Sequence, residues 1–303
     1  MNFLNLIRYK NLLLIALIQG FIKYGLLDPW GVKVALDDFK FGLLVIATCC
    51  IAAAGNVIND IYDVAIDTIN KPQKVIVGRK ISEKTANRIY FTLNILGVGL
   101  AFYLSNSIGK PGFSGFFIII SALLYLYASN LKGVLLIGNL LVSLIVAFSI
   151  LIVGIFDILP AMDTDEMSRQ MIALQVILHY AFFAFFINFI REIVKDIEDI
   201  NGDKNGNMNT LPIALGRKRA TNIVLFLSIM LTLTVLGYIY FYLYHSQPMV
   251  LYFLFLIVAP LLYFCIKSRN AEMAKDYAML SFLLKVIMFL GICSIWLYPM
   301  IEV

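Results

Sequence analysis

The sequence predicts an all-α fold, a polytopic membrane protein with nine transmembrane helices. Three observations lead there. The chain is 61% hydrophobic and only 14% charged, whereas a soluble globular domain carries about 25% charged residues. Crossing the hydrocarbon takes about 20 mostly apolar residues, and runs of about that length occur near 11–28, 41–60, 87–107, 114–131, 134–158, 171–193, 221–244, 248–266 and 277–299. Lysine and arginine are also shared unequally between alternate loops.

Taken in order, the first run has no small-residue cleavage site after it, so it reads as a retained helix and not a signal peptide. Pro29, Gly112, Lys132-Gly133, Pro160, Pro248 and the charged stretch 267–275 punctuate the runs that follow. The short gap at Lys132-Gly133 implies a tight antiparallel pair. No low-complexity linker divides the chain, so residues 1–303 are expected to form a single domain. Cys49, Cys50, Cys265 and Cys293 all fall inside apolar runs, where a thiol packs as a small hydrophobe. Two histidines and scattered cysteines exclude a zinc or haem framework, and the absence of a Lys/Arg-rich run argues against a nucleic-acid partner.

With the N-terminus in the cytoplasm, only Lys23, Lys33, Lys40, Lys110 and Arg169 fall in outer loops. Every other Lys or Arg is cytoplasmic except Lys285, which lies within the last run. The protein is therefore expected in the cytoplasmic membrane with its N-terminus inside. Trp30 and Trp296 then fall near the outer interface, and Asp157, Asp163, Asp165 and Glu166 read as a solvated outer loop. Lys285 is expected to face a polar cavity or to snorkel. His179, midway along the sixth run, reads as a hydrogen-bonded interior histidine.

The functional signal is acidic. Asn59-Asp60-Ile61-Tyr62-Asp63-Val64-Ala65-Ile66-Asp67 follows directly on the second run. Its three aspartates stand at i, i+3 and i+7, one face of a helix. Three such carboxylates repel one another unless a cation is shared, and oxygen ligands of this kind suit Mg²⁺. The same spacing returns as Asp196, Asp199 and Asp203 at the end of the sixth run. One triplet could be a solvated helix end; two with identical spacing, each beside a span and both on the cytoplasmic face, point to a shared polyphosphate. Mg²⁺ prefers one or two carboxylates together with phosphate oxygens. Asn59 could ligate the metal or hold an aspartate. Arg191 and Lys195 share a helix with the second triplet and are assigned to phosphate contact, whereas Arg79, Lys80 and Arg217-Lys218-Arg219 suit topology and lipid headgroups.

At these residues the sequence resembles the UbiA superfamily of intramembrane prenyltransferases. The signature N-D-x-x-D-x-x-x-D is matched by Asn59, Asp60, Asp63 and Asp67, and D-x-x-D-x-x-x-D by Asp196, Asp199 and Asp203. The run from Arg191 to Asp199, with Gly202-Asp203, Thr210-Leu211-Pro212, Lys132, Gly138-Asn139 and Arg8…Asn11, looks like the digeranylgeranylglyceryl phosphate synthase branch. The resemblance implies nine helices around a central cavity open to lipid. It implies Mg²⁺ on Asn59, Asp60, Asp63, Asp67, Asp196, Asp199 and Asp203, with Asp63, Asp67, Asp199 and Asp203 central to catalysis. An isoprenyl diphosphate would be bound by Asn59, Lys74, Lys132, Arg191 and Lys195. A prenyl chain would pass to a hydroxyl of a prenylglyceryl phosphate, forming an ether lipid. The branch usually carries Arg-Pro where this chain has Lys74-Val75, and Lys74 stands in for that arginine. The rival within the class prenylates an aromatic acceptor, such as a hydroxybenzoate or quinone precursor, or haem. A cation transporter would place its carboxylates at the midplane, and a passive scaffold would have no use for paired triplets.

Overall fold

A computed structural model describes residues 2–70 and 72–300, with the side chain of Lys74 outside the described residues. Among the described residues nine helices are long and apolar enough to cross a membrane: Tyr9–Leu27, Asp38–Tyr62, Glu83–Ser107, Pro111–Leu131, Ile137–Ala161, Met167–Glu198, Arg217–Leu243, Gln247–Arg269 and Ala274–Met300. They are spans 1 to 9 below. Among the described residues helix is the only extended regular structure; a lone bridge joins Val77 and Ile81. Helices dominate because backbone groups in hydrocarbon must be satisfied within their own segment.

The chain resolves into two compact units. The first comprises the stretch up to Gly20, Gly31–Lys132 and Phe148–Ile177. Its spine is span 2 packed along span 3. Gly97 permits the approach: a Cβ there would lie 2.8 Å from Ile51 Cδ1 and 3.2 Å from the Ala47 carbonyl oxygen. Span 4 lies antiparallel to the second half of span 5, with Phe113 and Phe117 against the Phe156 ring and Phe116 against Phe148. The connection is longer than Lys132-Gly133 suggests: span 4 ends at Leu131 and span 5 begins only at Ile137, after Leu136 at φ 60°. At the other end of span 2, Leu6, Val57, Ile76, Val77 and Ala86 form a buried cluster, with Ile61, Val64 and Ile81 packed against it. That cluster anchors the backbone on either side of the first acidic motif.

The second unit comprises Phe21–Trp30, Gly133–Ala147 and Leu178–Val303. Span 7 packs on the last part of span 8, which also contacts span 9. Trp296 meets the edge of Phe21, and Trp30 that of Tyr298, with ring centroids 5.5 and 5.9 Å apart. All four cysteines are free.

Two sequence expectations change here. Asp157 is not solvated. It is fully buried in the first unit, where its Oδ1 accepts the Leu36 N–H at 2.8 Å and its carbonyl accepts the Ala35 N–H at 2.7 Å. The extended stretch before span 2 has no ladder of its own, so it borrows these acceptors. His179 is not hydrogen-bonded at Nδ1, which is buried without a partner; its ring packs against Tyr238 and Tyr242, centroids 5.1 and 4.7 Å away.

Candidate active site

Each acidic motif sits where a span breaks, and the two breaks match. Span 2 ends at Tyr62, and Asp63 adopts φ −84°, ψ −2° before a short helix, Val64–Asn70. Span 6 ends at Glu198, and Asp199 adopts φ −95°, ψ 8° before Ile200–Asn205. Both middle aspartates thus occupy the sparsely populated bridge region, common in active sites. Backbone bonds hold each kink. Asp63 N–H donates to Asn59 O at 2.9 Å and Asp67 N–H to Asp63 O at 2.8 Å; Asp199 N–H donates to Lys195 O at 2.9 Å and Asp203 N–H to Asp199 O at 3.2 Å. In both copies the first aspartate therefore closes the span, the second marks the break and the third sits in the first turn of the short helix.

In the first unit these carboxylates are met by one donor of the motif itself and by two from other segments. Asn59 Nδ2 donates to Asp63 Oδ2 at 2.6 Å, and the Lys132 ammonium donates to the same oxygen. Lys132 arrives there through a wide turn, Tyr127–Leu131, with its own N–H bonded to Tyr127 O five residues back at 2.9 Å. Such turns concentrate at functional sites. Arg8 Nη2 donates to Asp60 Oδ1 at 2.7 Å. Arg8 itself takes φ 52°, a left-handed backbone that L residues rarely adopt, and Asn56 Nδ2 fixes the preceding carbonyl, Ile7 O, at 3.0 Å. Burial, reinforced by the neighbouring Asp63 charge, pushes the Asp67 carboxyl above its ordinary range. Asn59 Oδ1 is buried with no hydrogen-bond partner.

In the second unit Asn139 Nδ2 donates to Asp196 Oδ2 at 2.8 Å. Asp203 is buried at 6% exposure, and its carbonyl accepts Met208 N–H at 3.0 Å. Arg191 and Lys195, assigned from sequence to phosphate, both lie on the buried Glu192. Arg191 Nη1 reaches Oε1 at 3.2 Å, and Lys195 Nζ reaches Oε2 at 2.8 Å. Arg191 Nε and Thr210 Oγ1 are buried without partners. Lys285 is half-buried within span 9.

Among the described residues no three His, Cys, Asp or Glu side chains are gathered closely enough to hold an ion by themselves. The donor set nevertheless suits a hard cation that shares its shell with phosphate. It offers carboxylate oxygens and the partnerless amide oxygen of Asn59. Sequence reasoning missed the pairing of Arg8 with Asp60 and of Asn139 with Asp196. Arg8 and Asn139 were visible only as a resemblance, with no signal of what they touch.

The UbiA prenyltransferase family matches residues 13–300. The digeranylgeranylglyceryl phosphate synthase of Korarchaeum cryptofilum is 33% identical over 281 residues, 91% of each chain. That of Sulfolobus acidocaldarius is 35% identical over 216 residues, 71% of this chain and 70% of its own. A solved structure concerned with digeranylgeranylglyceryl phosphate synthase in membranes is 25% identical with TM-score 0.60, covering 97% of this chain and 98% of that one. An Archaeoglobus fulgidus UbiA homologue bound to GPP and Mg²⁺ shares the fold at TM-score 0.58 and 15% identity, covering 97% and 99%. The chain therefore belongs to the UbiA prenyltransferase family, integral membrane enzymes that transfer prenyl groups.

Proposed function

We propose that this enzyme transfers a prenyl chain from an isoprenyl diphosphate to a hydroxyl of a prenylglyceryl phosphate, forming an ether lipid. The observation that carries the reading is the pair of matched span breaks, each led by an aspartate triplet. The names of the relatives, shared over most of the chain, supply the acceptor. The whole chain acts as one catalytic domain in the cytoplasmic membrane, with both breaks at its inner face and a lipid-accessible cavity for the prenyl chain.

Mg²⁺ bound by Asn59, Asp60, Asp63, Asp67, Asp196, Asp199 and Asp203 would supply Lewis-acid neutralisation of the leaving diphosphate. The chain's own cations do the rest of the electrostatic work. Lys132, Arg191, Lys195 and Lys74 would meet diphosphate oxygens as negative charge develops on them, Arg191 and Lys195 turning there from Glu192. The bond from prenyl C1 to the diphosphate oxygen breaks, the acceptor hydroxyl oxygen bonds to C1, and the hydroxyl proton leaves. Apolar side chains of the spans keep water from capturing the allylic centre.

Purified protein in lipid nanodiscs, with Mg²⁺ and a radiolabelled prenyl diphosphate, tests this. A diprenylglyceryl phosphate identified by mass spectrometry is the expected product. A prenylated hydroxybenzoate or quinone precursor, with no product from the glyceryl phosphate, would overturn the acceptor assignment.

A further inference from the structure

Asp63 Oδ2 already holds two donors, the Asn59 amide and the Lys132 ammonium. A carboxylate oxygen offers about two lone-pair sites, so a divalent ion reaching that oxygen must remove one donor. The Asn59 amide is held by the same helix, four residues away. Lys132 has its main chain fixed by the Tyr127 carbonyl, and its side chain is 24% exposed. Its four-carbon stem with a point charge at the tip can pivot while the main chain stays fixed. We infer that Lys132 is an internal competitor for the divalent ion at Asp63, and that the ion's arrival frees its ammonium to bind the diphosphate. This rests on the metal–diphosphate function proposed above.

The arrangement makes metal and diphosphate binding mutually supportive. With the ion away, Lys132 neutralises a carboxylate that would otherwise sit buried with only the neutral Asn59 amide beside it. With the ion present, the positive charge formerly spent on Asp63 faces a polyanion that needs it. Two ligands that each favour the same position of one side chain are coupled, typically by about 5- to 150-fold.

The test is Mn²⁺ binding, followed by the electron paramagnetic resonance of free Mn²⁺, on the full-length protein in nanodiscs without any diphosphate. Wild type, Asp63→Asn, Lys132→Met and Lys132→Arg are compared. The inference expects weaker binding in Asp63→Asn, binding tighter by about 5-fold or more in Lys132→Met, and near-wild-type binding in Lys132→Arg, which keeps a competing charge. Lys132→Met binding no tighter than wild type, with Asp63→Asn still weakened, overturns the exchange and leaves the metal site standing. Lys132→Arg shifting as far as Lys132→Met also overturns it, because the effect is then not one of charge. Mn²⁺ binding by no variant until inorganic diphosphate is added overturns the exchange; none even then, or Asp63→Asn equal to wild type, overturns the metal function itself.

Discussion

Lys132 donates its ammonium to Asp63, joining the turn that ends span 4 to the break that ends span 2. The contact spans 69 residues of sequence, and it places a cation on the aspartate that lies where helical geometry fails. Asp199 occupies the equivalent break in the second unit with nearly the same backbone angles. If the middle aspartates carry the chemistry, Asp63→Asn and Asp199→Asn should each lower kcat/KM by about 100-fold or more, the scale of losing one stabiliser of developing charge. Steady-state prenyl transfer measures both, and an Asp199→Asn enzyme with near-normal kcat/KM would separate the second motif from the reaction.

Asn59 turns its amide nitrogen to Asp63 and leaves Oδ1 buried and partnerless. A buried acceptor without a donor costs free energy, and a cation at that oxygen would remove the cost. Asn59→Ala loses both the ligand and the clamp on Asp63, so divalent affinity should fall about 10- to 100-fold. The melting temperature should change little, because the hydrogen bond lost is the one to Asp63 within the motif. Isothermal titration with Mg²⁺ beside a thermal melt distinguishes the two effects.

Much of this was legible beforehand, for a physical reason. The bilayer forces each span to declare itself as a long apolar run, and the nine predicted runs each overlap one structural span. The acidic triplets were equally plain, because their spacing is local in sequence; the break at each middle aspartate was not, since i, i+3, i+7 reads as one unbroken helix face. Contacts set by packing between distant segments were not. Arg8 meets Asp60 across 52 residues and Asn139 meets Asp196 across 57, and nothing in either partner's neighbourhood encodes the other. Asp157 was misread for the same cause. It stands beside an acidic loop in sequence, yet its acceptor role belongs to Leu36 and Ala35, far upstream.

Two glycines of the first unit should respond differently to the same change. At Gly55 the atoms nearest an added Cβ belong to the branched tip of Leu124, at 2.9 Å. A flexible side chain can turn aside. At Gly97 the added methyl meets Ile51 at 2.8 Å and, behind it, the Ala47 carbonyl oxygen at 3.2 Å, so spans 2 and 3 must separate. Gly97→Ala should therefore destabilise by about 1–3 kcal/mol, the usual cost of overpacking. Gly55→Ala should cost less, because alanine also favours helix over glycine. Since span 2 carries the first motif, Gly97→Ala should lower activity along with melting temperature. Equal melting curves for the two variants would contradict the packing account.

The outer end of the first unit offers a contrast between a buried and an exposed carboxylate. Asp163 pairs with Lys33 at 2.7 Å on the surface. That hydrogen bond holds the Asp163 carboxyl below its ordinary range and the Lys33 ammonium above its own. The signs set the pH window. A lowered acid stabilises fully above about pH 3.9 and loses the effect as pH falls through its folded value; a raised amine stabilises fully below about pH 10.4 and loses it above. Between about pH 5 and pH 9 the pair's contribution is constant, and exposure to solvent and salt keeps it small. Asp163→Asn should thus leave the melting temperature nearly unchanged across that range. Asp157 is fully buried and satisfies the Leu36 N–H. Asp157→Ala leaves that donor without its acceptor in the interior, at about 1–3 kcal/mol, and should lower the melting temperature clearly at every pH in the window. Thermal melts of both variants in detergent at pH 5, 7 and 9 decide it, and an Asp163→Asn loss equal to that of Asp157→Ala would mean the surface pair, not the buried carboxylate, holds the stretch before span 2.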